Sequence, residues 1–158
     1  MLKMPHELFM KEAMKEAGRA LRKAEVPIGA VVVKDGAVIG RGYNRKETGA
    51  DPTLHAEVIA IRAASKRLGA WRLSDTTLYV TLEPCLMCMG AIIQARMPRL
   101  VFAAFDPKAG ACGSLYDVSD DRRLNHRVHV TQGVCGAEAG ELLKAFFAGL
   151  RNKRKGRS

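Results

Sequence analysis

The stretch TLEPCLMCMG, residues 81–90, sets Cys85 and Cys88 in a C-x-x-C spacing directly after Pro84. Such a pair serves as half of a structural zinc site, as a redox couple, or as two ligands of a catalytic metal. A second stretch, DPTLHAEVIA, carries His55 and Glu57 two residues apart. One imidazole and two thiolates make three ligands for a tetrahedral zinc ion. Three protein ligands leave the fourth position to water, which is the pattern of a catalytic rather than a structural site. Zinc brings the pKa of such a water to about 7, so that a nucleophile is at hand at neutral pH. Glu57 then has work to do without being a ligand. A carboxylate beside that water takes its proton as general base and returns it to a substrate nitrogen as general acid. Two other readings compete. A closed structural site would recruit Cys112 or Cys135 as fourth ligand, but neither lies in a C-x-x-C pair and Glu57 would have no role. A redox Cys85–Cys88 pair would leave both His55 and Glu57 idle. Cys112 and Cys135 read most simply as buried or partly buried free thiols.

These side chains meet only if the elements carrying them converge. LHAEVIAIRAASKRLG reads as a helix entered at Pro52-Thr53 and left at Gly69. PCLMCMGAIIQAR reads as a helix with Pro84 at its first position. It is apolar nearly all round, so it should be buried on more than one side, with part of it facing another subunit. Each ligand pair thus opens a helix after strand-like sequence, and the helix dipoles favour the thiolate forms that bind metal. Upstream, about Pro5 to Ala24 reads as an amphipathic helix on the spacing of Phe9, Ala13, Ala17, Ala20, Leu21 and Ala24. GAVVV and AVIGRGYN are β-branched runs joined by KDG, where Asp35-Gly36 is a hairpin signal. TTLYVTL and RLVFAAF are strands, DPKAGACGS is a glycine-rich loop, RVHVTQGV is a last short strand, and a helix runs from Ala137 to about Arg151. Helices alternating with strands after an initial hairpin predict a three-layer α/β/α sandwich, with parallel strands following the antiparallel pair.

The totals agree with one such domain. The chain has 158 residues, 47% hydrophobic and 27% charged, enough to bury a core without disulfides. No apolar run approaches the roughly 18 residues of a membrane-spanning helix. The N-terminus scatters its charges and does not read as a secretory signal. The expected compartment is the cytoplasm, where thiols stay reduced. The net charge of +10 points to a polyanionic partner, RNA or DNA first. Arg151, Lys153, Arg154, Lys155 and Arg157 concentrate part of it in a basic tail, residues 151–158, for which the alternative reading is a solvated end that only aids solubility.

H-x-E followed by P-C-x-x-C is the signature of zinc-dependent nucleobase deaminases. The chain resembles the bacterial tRNA-specific adenosine deaminases of the cytidine deaminase-like superfamily. The likeness runs through VPIGAVVV, GYN, DPTLHAE, TLEPCLMCMGAI, FDPKAGACGSLYDV, NHRV and FFAGLR. It implies a cytidine deaminase-like fold with a central five-stranded mixed sheet, a single zinc-dependent deaminase domain over residues 1–150, and a homodimer. It implies one Zn2+ per chain on His55, Cys85 and Cys88, with Glu57 as proton shuttle. The implied partner is a tRNA anticodon stem-loop, and the implied reaction is hydrolytic conversion of adenosine to inosine at the wobble position. By the same likeness Asn44 hydrogen-bonds the flipped base or its sugar, although an Asn that simply ends a strand would look the same. The backbone of Ala56 contacts the base, and Pro27, Ile28, Gly29 and Ala30 line its pocket. Asp106 and Lys108 hold neighbouring nucleotides. Phe147 and Arg151, four apart on the last helix, stack on RNA and bind phosphate, unless Phe147 belongs to the core. A guanine or cytosine deaminase would share the zinc motif, and a non-catalytic zinc-containing RNA-binding module would share everything but a need for Glu57.

Overall fold

The computed structural model describes residues 5–156, so Arg157 of the basic tail lies outside it. Helix α1 (His6–Arg22) leads into strands β1 (Gly29–Lys34) and β2 (Ala37–Tyr43). Asp35 and Gly36 between them both have positive φ, 50° and 75°, the backbone of a type I′ hairpin turn. Helix α2 (Ala56–Leu68), strand β3 (Thr76–Leu82), helix α3 (Leu86–Gln94), strands β4 (Arg99–Ala104) and β5 (His129–Thr131), and helix α4 (Gly136–Lys155) follow. The sheet order is β2-β1-β3-β4-β5. β1 is antiparallel to β2 and to β3, whereas β3, β4 and β5 run parallel, so the sheet is mixed as expected.

Strand alternation divides the core into two layers. Ala30, Val32, Leu78, Val80, Leu100 and Phe102 pack with Ala60 and Ala64 of α2 and with Met89 and Ile92 of α3. Val31, Val33, Tyr79, Val101 and Ala103 pack with Phe9, Met10 and Ala13 of α1 and with Leu143 of α4. Helices therefore cover both faces of the sheet in the predicted three-layer sandwich.

The helices approach the hairpin closely because glycines lie under them. A Cβ on Gly42 would stand 2.3 Å from the Ala56 carbonyl oxygen, and one on Gly40 would stand 2.4 Å from that of Ala60. Gly42 thus sets how deep the first turn of α2 sits, and that turn carries Glu57. Gly42→Ala should destabilise the protein by about 1–3 kcal/mol or more through overpacking. The measurement is a lower urea midpoint at unchanged slope; an unchanged midpoint would mean that helix and strand can part without cost.

Several boundaries differ from the sequence reading. Cys85, with extended backbone, caps α3, so Pro84 precedes the cap instead of occupying the first helical position. α3 buries Cys88, Met89, Ile92 and Ile93 but leaves Leu86 and Met87 49% and 38% exposed, so within one chain only one side of it is covered. β5 is three residues long, because Gly133 and Cys135 take positive φ and end the extended geometry. α4 continues through Lys155, which makes residues 151–155 helical rather than a separate tail. Arg and Lys are good helix formers, and cations in a last turn face the negative end of the helix dipole.

Candidate active site

His55 stands at the N-cap of α2 and Cys85 at that of α3, so the two helix starts bring these side chains toward one another. His55 Nδ1 lies 3.6 Å from Cys85 Sγ and 3.5 Å from Cys88 Sγ. Zinc–sulfur and zinc–nitrogen bonds of about 2.3 and 2.05 Å at the tetrahedral angle would place nitrogen and sulfur about 3.6 Å apart. The donor set thus fits the ion in both chemistry and spacing. Among the described residues no other group of three such donors comes together, and Cys112 and Cys135 stand outside it. A closed four-ligand site with either of them is therefore overturned. All four cysteines are free thiols.

The protonation states support a cation here. The hydrogen bond from Cys88 and then the one with His55 pull Cys85 down to about 4, against the effect of burial. Cys88 is driven upward by its bond to Cys85, by burial, and by the charges of Glu57 and Cys85. His55 is raised, first by its bond with Cys85. The protein alone thus accommodates one thiolate and penalises a second beside it. A divalent ion among the three atoms removes that conflict, since thiol ligands bind deprotonated.

Glu57, in the first turn of α2, is 5% exposed. Burial raises its carboxyl to about 7, with the Cys85 charge adding to the shift and the His55 charge and Cys88 hydrogen bond opposing it. Such a group accepts and releases a proton near neutrality. It opens on a cavity of about 150 Å³ that His55 and Cys85 also line. That is well below the roughly 300–1,000 Å³ of sites for drug-sized ligands, so the space suits one small planar group while the rest of a large substrate stays outside.

Of the residues proposed to touch substrate, Asn44, Ala56, Ile28 and Asp106 line this cavity. Asn44 does more than end β2: it is 5% exposed, its Oδ1 accepts from the Lys46 amide at 3.1 Å and its Nδ2 donates to the Val26 carbonyl at 3.4 Å. Three members of the Pro27–Ala30 segment are absent from the lining. Pro27 is buried away from it, Gly29 backs onto α1, where a Cβ would stand 2.1 Å from the Ala13 carbonyl oxygen, and Ala30 belongs to the core. Val26 and Leu82 join Ile28 on the wall instead. Lys108 is exposed outside the cavity; its amide donates to Asp106 Oδ1 at 3.0 Å, as does that of Ala109 at 3.2 Å. Phe147 is 42% exposed and meets Phe146 edge-on, so its place in the core is overturned. Arg151 is exposed four residues further along α4, and neither lines the cavity.

Glu83 was not among the residues singled out by the sequence. It lines the cavity, is 2% exposed, and accepts hydrogen bonds from the amides of Asp106 (3.0 Å), Cys112 (3.3 Å) and Ser114 (2.9 Å) and from the Ser114 hydroxyl. A buried carboxylate requires such donors. Here they fold the glycine-rich loop over the site, with Gly110 so close that a Cβ would stand 2.3 Å from the Glu83 carboxyl. The available signal was an acid beside Pro-Cys at a strand end, with a glycine-rich loop downstream.

The MafB19-like deaminase family model matches residues 4–151. The tRNA-specific adenosine deaminase of Bacillus subtilis is 51% identical over 149 residues, covering 94% of this chain and 92% of the relative. This chain belongs to the tRNA-specific adenosine deaminases. The Streptococcus pyogenes serotype M18 member of that family is 48% identical over 157 residues, with 96% and 99% covered. A solved structure from a study of A-to-I editing by tRNA:A34 deaminases at the wobble position superposes with a TM-score of 0.83 at 46% identity, covering 86% of this chain and 99% of its own. The guanine deaminase of Bacillus subtilis shares the fold at a TM-score of 0.63 and 38% identity, covering 94% and 95%. Among family members, then, this chain stands nearer to the tRNA enzymes than to that small-base deaminase.

Proposed function

We propose that this protein hydrolytically deaminates adenosine to inosine at the wobble position of a tRNA anticodon, using one zinc ion held by His55, Cys85 and Cys88. The observation that carries the proposal is Glu57: a buried carboxyl beside a three-ligand metal cluster, on a cavity with room for one base. Zinc in that cluster supplies the Lewis acidity that makes a water nucleophilic at neutral pH. Glu57 as carboxylate takes a proton from the water that attacks C6 and delivers it to the departing amino nitrogen. The C6–N bond breaks and ammonia leaves, so one residue serves as base and then as acid. Asn44 and the Ala56 backbone orient the base, and Ile28, Val26 and Leu82 shield it from bulk water.

A base small enough for the cavity needs binding energy from elsewhere, and a loop nucleotide brings it. Asp106 at the rim, with Lys108 beside it, and the Phe147/Arg151 pair on α4 suit stacking and phosphate contact. Arg154 and Lys153 extend that helix with further cations. The homodimer is supported by Leu86 and Met87, which α3 leaves exposed beside the site. A cytoplasmic location is supported by four free cysteines. No helix among the described residues is long and apolar enough to cross a membrane.

The test is incubation of zinc-loaded protein with an anticodon stem-loop carrying adenosine at the wobble position, and separately with free adenosine, cytidine and guanine, followed by nucleoside analysis. Inosine should form in the stem-loop, with little or no turnover of the free compounds. Deamination of a free compound with none on the stem-loop would sink the tRNA reading. Tight RNA binding without any turnover would turn the protein into a binding module.

A further inference from the structure

We propose that the groove between the C-terminus of α1 and the end of β2, lined by Tyr43, Arg19, Arg22 and Lys23, is a second RNA subsite that carries the substrate's phosphodiester backbone away from the catalytic cavity. The inference rests on the RNA-deaminase reading above. The groove is open and about 450 Å³ in volume, and its lining adjoins that of the catalytic cavity along the chain, within residues 43–46. Asn44 and Lys46 line the catalytic cavity, while Tyr43 lines the groove. Tyr43 pairs with Gly29, whose α-carbon faces α1, so its ring points to that side of the sheet. Tyr43 on the groove wall and Asn44 on the cavity wall are neighbours in the chain, one residue step of about 3.3 Å apart.

The charges at this place are available to a ligand. Arg22 and Lys23 make no ion pair with any of the described residues, and Arg19 reaches only Glu16, at 3.7 Å. Of the acids of α1, Glu12 bonds Lys15 and Arg41, both at 2.8 Å, and Glu16 is shared between Arg19 and Arg41, which it faces at 3.6 Å. The Arg45 guanidinium lies over the Tyr43 ring, 5.9 Å from its centroid. Cations at a helix C-terminus gain something from the dipole. That gain does not explain the aromatic ring and its covering arginine beside these cations. Cations lining a groove with an aromatic face are the furnishings of a single-stranded nucleic-acid track.

The track is also held rigid. Glu25 is 1% exposed and accepts hydrogen bonds from the amides of Glu47 at 3.1 Å and Thr48 at 2.6 Å. Burial disfavours its charge, yet the Thr48 and Glu47 donors hold the carboxyl below its ordinary range. This buried anion fastens the loop bearing Arg45 and Lys46 onto the turn bearing Arg22 and Lys23. Backbone fixed before RNA arrives loses less entropy on binding than a mobile loop does.

The test uses zinc-loaded, full-length protein and the anticodon stem-loop. Arg22→Glu/Lys23→Glu is compared with Lys66→Glu/Arg67→Glu, which makes the same change of net charge in the last turn of α2. Binding is measured across a series of salt concentrations. Each lost phosphate contact lowers the slope of log affinity against log salt by about 0.7–0.9. The groove variant should therefore lose about 1.4–1.8 in slope and at least tenfold in affinity at low salt, and the control variant should lose much less. Equal losses in the two variants would reduce the effect to overall charge and overturn the subsite. So would a groove variant that binds as the unaltered protein does. Inosine formation by the unaltered protein is read separately: salt-dependent binding without inosine would defeat the deaminase reading while the comparison of variants still decides the groove. Absence of RNA binding by the unaltered protein would overturn both.

Discussion

Glu57→Gln is expected to keep the fold and the bound metal and to slow turnover of an adenosine stem-loop by about 10⁴-fold or more. Proton transfer by one positioned group is typically worth about 10²–10⁴-fold. Here a single carboxyl both removes a proton from water and returns one to the leaving nitrogen, so the upper end or beyond applies. Gln matches Glu in shape and leaves no new void at a position that is 5% exposed. It can still accept a hydrogen bond from water, but it cannot take the proton. Since Glu57 stands outside the His55–Cys85–Cys88 donor group, metal content should be unaltered. Single-turnover rates with elemental analysis on the same preparation make the measurement. A near-normal rate at full metal occupancy would remove Glu57 from the chemistry and require another proton carrier on the cavity wall.

What could be read in the sequence was what spacing relative to a helix start decides. His55, Glu57, Cys85 and Cys88 each stand at the cap or in the first turn of a helix that follows extended chain, and that placement alone brings their side chains to one point. The hairpin was equally legible, because Asp35 and Gly36 are residue types that accept two consecutive positive φ values. The Pro27–Ala30 segment shows where such reasoning stops. Consecutive residues of an extended chain point to opposite faces, so a contiguous run cannot line one pocket; Ile28 faces the cavity and Gly29 faces α1. Glu83 and Glu25 were opaque for another reason. Each is a charged residue whose burial is made tolerable by amides from chain 22 to 31 residues away, and nothing local announces those donors. The end of α4 was ambiguous in kind, since a run of Arg and Lys serves equally as a solvated tail and as helix-forming sequence.

Cys88→Ala is expected to abolish stoichiometric zinc binding and, with it, turnover. Cys88 is fully buried in the first turn of α3, and its sulfur lies 3.5 Å from His55 Nδ1. Alanine leaves two donors where a catalytic zinc site needs three. The change also reaches the fold, because metal binding and folding are coupled. The ion would join the N-termini of α2 and α3, and without it the two helix starts are held only by packing. A lower melting temperature should accompany the lost metal. Cys112→Ala is the control that separates this from the loss of any buried thiol. Cys112 is 1% exposed, raised well above the ordinary thiol range by burial and then by the charges of Glu83 and Asp117, and lies outside the donor group. Its replacement should remove some packing and leave one zinc per chain. Elemental analysis of both variants after dialysis against a mild chelator decides the matter. Full occupancy in Cys88→Ala would refute the ligand set, and loss of zinc in Cys112→Ala would show that the site extends beyond the three residues that the geometry brings together.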